Sequence, residues 1–201
     1  MAIGQGIVSA LGKLADGFGS IMLGRQGEQL GSDVHGPWFT AATNNRVFIG
    51  SALIAGVILP VNTTTAPTFT LFNPLGSNVN VELISLDIGW PAAAASVIGT
   101  ILGSISTQTP TSVTAGGTTV SVPIGGGGTA QAKLYTAATV AAITSHIPLL
   151  NVTSTADAMT ASHYDFDGRV VLAPGGLITL TSTPAQTAVA IPSFAWAEWP
   201  A

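Results

Sequence analysis

Side chains that could do chemistry are few in this chain of 201 residues, and their spacing fits no catalytic or metal-binding pattern. The chain has no cysteine, and its histidines, His35, His146 and His163, lack the four-residue spacing with which two histidines on one helix bind zinc. No serine lies in the Gly-x-Ser-x-Gly pattern of a nucleophile elbow. We therefore expect no catalytic residue, no cofactor and no metal, and we interpret each histidine as structural.

Two short motifs come closest to a ligand site. Asp165-Phe166-Asp167-Gly168 begins like a calcium loop, but a valine takes the sixth position, where glycine is needed, and a glycine takes the twelfth, where glutamate is needed. We interpret it as a turn and leave a weak cation site near Asp165 and Asp167 as an alternative. The run Gly125–Gly128 lacks the Lys-Ser/Thr that follows the glycines of a P-loop, so we interpret it as a loop.

Two further alternatives would each need a site of their own. A carbohydrate-binding or receptor-binding module could use Trp90, Trp196 and Trp199 as a platform. A hydrolase could use an acid pair drawn from three aspartates, Asp157, Asp165 and Asp167. Its mark would be a cleft that raises a carboxyl pKa, which a sequence does not reveal.

Charged residues make up only 7% of the chain, against roughly 25% in soluble domains. Five basic residues cannot neutralise many phosphates, so nucleic acid is not an expected partner. The longest apolar stretch, Val47 to Val61, is shorter than the roughly 20 residues of a membrane-spanning helix, so we expect no membrane association. No charged residue lies between Asp87 and Lys133. This composition predicts a surface that packs against identical neighbours.

The elements that position these residues change character near Val47. Residues 1–46 predict an extended N-terminal arm, because the apolar residues of its first 22 positions have helical spacing but five glycines weaken that helix. Residues 47–201 predict one β-sandwich or jelly-roll domain of short strands separated by Gly, Pro and Asn turns. A first helix packed into that same domain is the alternative for the arm. The fold class is therefore mainly β.

The predicted strands are rich in Val, Ile, Thr and Phe. They are Val47–Ser51, Thr68–Phe72, Val79–Ile88, Val97–Ile105, Thr118–Val122, Gln131–Leu134, Arg169–Leu172, Leu177–Ser182 and Val189–Trp196. Tyr135 to Leu150 is ambiguous between a short helix and a strand or loop. In Val79–Ile88 the apolar pattern slips by one residue after Leu83, which indicates either a bulge or a strand buried on both faces, the second face by another subunit.

Several short motifs resemble those of small Gly/Ala/Thr-rich virion structural proteins of tailed bacteriophages. They are Gln26-Gly27-Glu28-Gln29-Leu30 with His35-Gly36, the stretch FTLFNPLG at 69–76, the stretch DGRVVLAPG at 167–175, and Trp196-Ala197-Glu198-Trp199-Pro200. The resemblance runs from about residue 25 to the C-terminus and leaves the intervening sequence free to vary.

This resemblance implies a capsid decoration protein on the outer surface of a virion. Its implied partners are identical subunits, with which it forms a homotrimer, and the major capsid protein. A jelly-roll major shell protein is the alternative within virions. We expect the subunit or shell interface to use apolar residues of the arm and aromatic residues, because tryptophan is enriched at interface hot spots. These residues are Leu11, Leu14, Phe18, Trp38, Phe39, Trp196 and Trp199.

Overall fold

The computed structural model describes residues 22–23, 29–30, 38–63, 65–90, 97–116, 119–122, 126–141, 143, 145–153 and 161–201. The chain separates into two compact units, residues 1–39 and 40–201, so residues 40–46 of the predicted arm belong to the larger unit. In the smaller unit, strands β1 (Met22–Leu23) and β2 (Gln29–Leu30) pair antiparallel. The predicted helix, with Leu11, Leu14 and Phe18, lies outside the described residues except for its last position.

In the described residues, one short helix and thirteen strands follow β2. They are α1 (Phe39–Thr43), β3 (Val47–Ser51), β4 (Val57–Ile58), β5 (Thr68–Phe72), β6 (Val79–Gly89), β7 (Gly99–Ser106), β8 (Thr111–Ala115), β9 (Thr119–Val122), β10 (Lys133–Thr139), β11 (His146–Val152), β12 (Ser162–Asp165), β13 (Val171–Leu172), β14 (Leu177–Ser182) and β15 (Val189–Pro200).

The strands form two antiparallel sheets, which confirms the predicted mainly-β sandwich. One sheet has the order β11-β7-β14-β5-β10-β8. The other has the order β12-β6-β15-β3-β9, with β13 beside β6 and β4 beside β15. The core joins both sheets: the rings of Phe69 on β5 and Phe194 on β15 stack with their centroids 5.7 Å apart. Such aromatic pairs add to the burial that stabilises a sandwich.

Strand β6 resolves the ambiguity in its apolar pattern. Its register against β15 shifts at Ile84, because Trp196 pairs with Leu83 whereas Ala195 pairs with Ser85. The bulge restores the phase, so that Val81, Leu83, Leu86 and Ile88 are all fully buried in the core. The bulge interpretation is therefore correct. A second subunit is not needed to explain this pattern.

The strands predicted with the correct bounds are β3, β5 and β14, which are dense in β-branched and aromatic residues. The ambiguous stretch Tyr135–Leu150 forms the greater part of β10 and β11, so its helical alternative is wrong. The short strands β4, β8 and β12 have no apolar alternation strong enough to predict them. The predicted start of β13 at Arg169 is also wrong, because residues 169–170 belong to the loop after β12.

Strands β5 and β14 are buried along their whole length. Leu71 and Ile178 pair with each other and lie in the core between the sheets, so their neighbours Thr70 and Thr179 project from the opposite face. The hydroxyls of that threonine pair lie 2.9 Å apart. The β10–β11 connection contributes Val140 to a small apolar cluster with Phe72 and Leu177 on the same face as the threonine pair. This connection therefore covers a layer of hydroxyl groups.

Candidate functional site

The described part of the chain holds no group of three His, Asp or Glu side chains that could bind a metal ion. No helix among the described residues is long and apolar enough to cross a membrane. Three clusters of polar side chains, around Ser104, His163 and Glu198, combine groups that could take part in chemistry.

The first cluster joins a serine of the hydroxyl layer to a histidine. The hydroxyl of Ser104 on β7 lies 2.7 Å from Nδ1 of His146 on β11 and 2.9 Å from the hydroxyl of Thr181. A serine next to a histidine is the pair that nucleophilic catalysis uses. Ser104 is only 1% exposed, however, so a substrate cannot reach its hydroxyl while the sandwich is folded. The cluster ties β7, β11 and β14 together.

The second cluster places His163 between two carboxylates on the outer face of the other sheet. Nδ1 of His163 lies 2.7 Å from Asp87 and Nε2 lies 2.9 Å from Asp165. These contacts follow from the register, because β12 pairs His163 with Asp87. The hydrogen bond to Asp87, which has the larger effect, and the hydrogen bond to Asp165 raise the pKa of His163 above its usual 6.5. All three side chains are more than half exposed, so no cleft surrounds them.

The raised pKa of His163 gives a testable pH dependence. A histidine whose pKa is raised by folding stabilises the fold below its unfolded pKa of about 6.5, and that contribution is lost as the pH rises through the folded pKa. We expect a titration of the imidazole by NMR to give a pKa above 6.5 in the native protein. In the Asp87→Asn, Asp165→Asn double variant this pKa should move back toward 6.5. An unchanged pKa in that variant would contradict the role of the two carboxylates.

The acid-pair alternative lacks the environment that it needs. Asp165 is exposed and is hydrogen-bonded to His163. Asp167, with φ 49°, lies in a solvent-exposed turn next to Gly168, with φ 70°. Residue 157 lies outside the described residues. The motif at 165–168 is therefore a turn, as its Asp-Gly pair predicts.

The third cluster is a buried carboxylate on β15. Glu198 is 6% exposed and accepts hydrogen bonds from the backbone N–H of Gln131 at 2.9 Å, from that of Ala132 at 2.9 Å and from the indole N–H of Trp196 at 3.1 Å. None of the described basic side chains forms an ion pair with this carboxylate. Backbone and indole dipoles compensate its charge instead. Glu198 therefore anchors the start of β10 to the other sheet.

Trp199 is also engaged within its own chain. Its indole N–H donates to Glu82 at 2.6 Å, and the guanidinium of Arg46 lies over its ring, 5.6 Å from the centroid. Trp196 is fully buried and packs against Phe48, with the ring centroids 6.0 Å apart. Trp90 is half-buried against the core. These contacts leave no flat row of exposed indoles, which a carbohydrate platform would require.

Motifs that carry the resemblance contact one another. The side-chain amide of Asn73, from the FTLFNPLG stretch, donates to the carbonyl of Leu172 at 2.8 Å. The backbone carbonyl of Asn73 accepts from Gly175, which has φ 92°, at 2.7 Å. Gly175 belongs to the turn after β13 that joins the two sheets, and Asn73 directly follows β5. These residues therefore hold the fold and do not form a reactive site.

Exposed aliphatic side chains concentrate at one corner of the sandwich, formed by β3, β4 and β9. We call this set the β9 corner: Ile49, Leu53, Ile54, Ile58 and Val120, all of them exposed and with Ile54 at 86%. Ile49 and Val120 are cross-strand partners on the outer face. Segments 47–63 and 119–122 contain no charged residue. A surface with these properties is typical of the centre of a protein interface.

The predicted interface residues have separate outcomes. Trp196 is fully buried in the core of its own domain, so its side chain is not at the surface. Trp38 and Trp199 are half-buried, and Phe39 is 46% exposed. The β9 corner is not among the predicted interface residues. Its signal in the sequence is the apolar segment 52–58, which contains no charged residue.

A groove of about 490 Å³ lies at the joint between the sheets and is lined mainly by Ile105, Ile143, Val171, Leu172 and Pro174. Among the described residues that line it there is no acidic, basic or histidine side chain, so these residues offer no group for acid–base chemistry. Comparisons with models of protein families, with curated protein sequences and with solved structures found no match to this chain.

Proposed function

We propose that this chain is a non-enzymatic structural protein of a bacteriophage virion, and specifically a capsid decoration protein that binds the outer surface of the shell as an oligomer. The identification with virions rests on the motif resemblance. The observation that carries the non-enzymatic part is the use of the polar groups: Ser104, His146 and Glu198 form hydrogen bonds that hold strands together.

The physical mechanism would be cementing, in which one subunit buries apolar surface against several shell subunits. Each square ångström of apolar surface removed from water contributes roughly 25 cal/mol before the cost of association is subtracted. The exposed side chains of the β9 corner and the scarcity of charge, 7% of residues, suit this role because little polar surface must be dehydrated. A threefold oligomer is the expectation from the resemblance.

A major shell protein is the alternative function with the same composition, and copy number distinguishes the two. Quantitative mass spectrometry of purified particles should find this chain at a fixed ratio to a more abundant shell protein. If this chain is itself the most abundant shell component, the alternative is correct. Its absence from purified particles would contradict both functions.

The cementing mechanism has its own test. Shells that lack this chain should break at a lower temperature than complete particles, and adding the purified protein should restore the difference. An unrelated β-sandwich protein at the same concentration is the control. Shells that break at the same temperature with and without the chain would contradict cementing.

A further inference from the structure

Four strands of four residues or more lie at the edges of the two sheets, and three of them are protected against pairing with another chain. Strands β4 and β13 also pair on one side only within the described part of the chain, but at two residues each they are too short to pair with another strand. Edge strands present free backbone N–H and C=O groups, and proteins commonly guard them with proline, charge or bulges. Strand β11 contains the exposed Pro148, which has no N–H to donate. Strand β12 carries the exposed imidazole of His163 and the exposed carboxylate of Asp165.

Strand β8 is protected by its irregular backbone. Its register against β10 shifts twice, between Tyr135 and Ala137 and again between Ala137 and Thr139. Ser112 within β8 has φ 48°, a left-handed conformation that interrupts an extended strand. A second strand could not continue a regular ladder along this edge.

Strand β9 has none of these protections. Its residues, Thr119–Val122, are uncharged, contain no proline and pair in regular register with β3. In the described part of the chain no strand lies on its other side. Val120 on β9 is 38% exposed and lies beside the exposed Ile49 of β3, within the β9 corner.

We propose that β9 pairs antiparallel with β9 of a second copy of this chain, so that the two seven-stranded sheets become one continuous sheet. The edge of β9 can pair with itself by a two-fold axis perpendicular to the sheet, which keeps both outer faces on the same side. The exposed pair Ile49 and Val120 then meets the same pair of the other copy in one apolar stripe. No charge within the corner opposes this contact.

A second copy of this chain is the partner that the sheet edges favour, because β9 can pair with another β9. A head-to-tail contact would require β9 to pair with β8, β11 or β12, which are protected, or with β4 or β13, which have only two residues each. The proposal is independent of the virion role. In a threefold oligomer held by another surface, the β9 contact would link neighbouring oligomers.

A cross-linking experiment tests the contact directly, because the wild-type chain has no cysteine. In Val120→Cys, a short bismaleimide should join two chains, since strands in a sheet lie about 4.8 Å apart. Val113→Cys is the matched control, because Val113 is 45% exposed on the protected edge β8. Thr119→Cys repeats the test if Val120→Cys does not melt cooperatively. Equal cross-linking from β8 and β9 would overturn the proposal, as would no cross-linking from β9.

Sedimentation measures the same contact without a chemical reagent. A lysine at position 120 would place like charges from the two copies beside each other, so Val120→Lys should raise the dissociation constant at least tenfold. Val113→Lys should leave it unchanged. A wild-type chain that sediments as a monomer would overturn the proposal, and so would equal effects of the two lysine variants.

Discussion

Replacing Glu198 with alanine is expected to lower the free energy of unfolding by about 3–5 kcal/mol. The substitution removes the acceptor of the Gln131, Ala132 and Trp196 N–H groups. Two of these donors belong to buried residues, and an unpaired buried donor costs roughly 1–3 kcal/mol. For a unit of this size the loss corresponds to a fall in Tm of about 6–20 °C, measurable by circular dichroism.

Two further variants separate hydrogen bonding from other causes. Glu198→Gln keeps the side-chain volume but replaces one acceptor oxygen with an amide NH₂. Its free energy of unfolding should therefore fall by much of the amount expected for Glu198→Ala. Glu82→Ala removes a half-buried carboxylate that accepts one indole N–H, from Trp199, and should cost about 1–2 kcal/mol. If the alanine variants at 82 and 198 lose the same free energy, the buried amide contacts do not have the importance we assign to them.

The second large effect is expected for Trp196→Ala, which should destabilise the domain by about 3–5 kcal/mol. Trp196 is fully buried between the sheets and packs on Phe48, and its truncation leaves a cavity and removes one of the three N–H donors to Glu198. Chemical denaturation followed by circular dichroism measures the loss.

Trp199→Ala is the control from the same motif. It removes a half-buried indole with one hydrogen bond and one cation–π contact, and should cost about 1–2 kcal/mol. A greater loss at position 199 than at position 196 would mean that the two tryptophans do not have the roles described above.

The sequence predicted the strands whose pattern is decided locally. Strand β14, with the sequence LITLTS, is dense in β-branched residues between turn signals, and its predicted bounds are correct. Most of β11 falls in the stretch 135–150 whose structure the sequence left ambiguous. Pro148 lies inside this strand, and proline argues against a strand unless that strand is an edge. Whether a strand is an edge is decided by tertiary structure, which a local pattern does not contain.

The clusters around Ser104 and Glu198 could not be predicted for the same reason. Glu198 binds backbone amides 66 and 67 residues earlier in the chain, and backbone amides have no sequence signature. Ser104 contacts His146 only because the register of β7 against β11 makes these two residues direct cross-strand partners. The turn at 165–168, in contrast, was predictable because its conformation is set by the adjacent Asp-Gly residues.

The position of β15 has a consequence for biosynthesis. This strand lies in the interior of its sheet, between β6 and β3, yet it follows every other described strand in the chain. A ribosome therefore completes β3, β6, β9, β12 and β13 before the strand that joins β6 to β3 exists. During that interval both strands present unpaired edges, and the nascent chain is open to incorrect pairing with its neighbours on a polysome. Folding of this sheet can finish only after residue 200 has left the ribosomal tunnel.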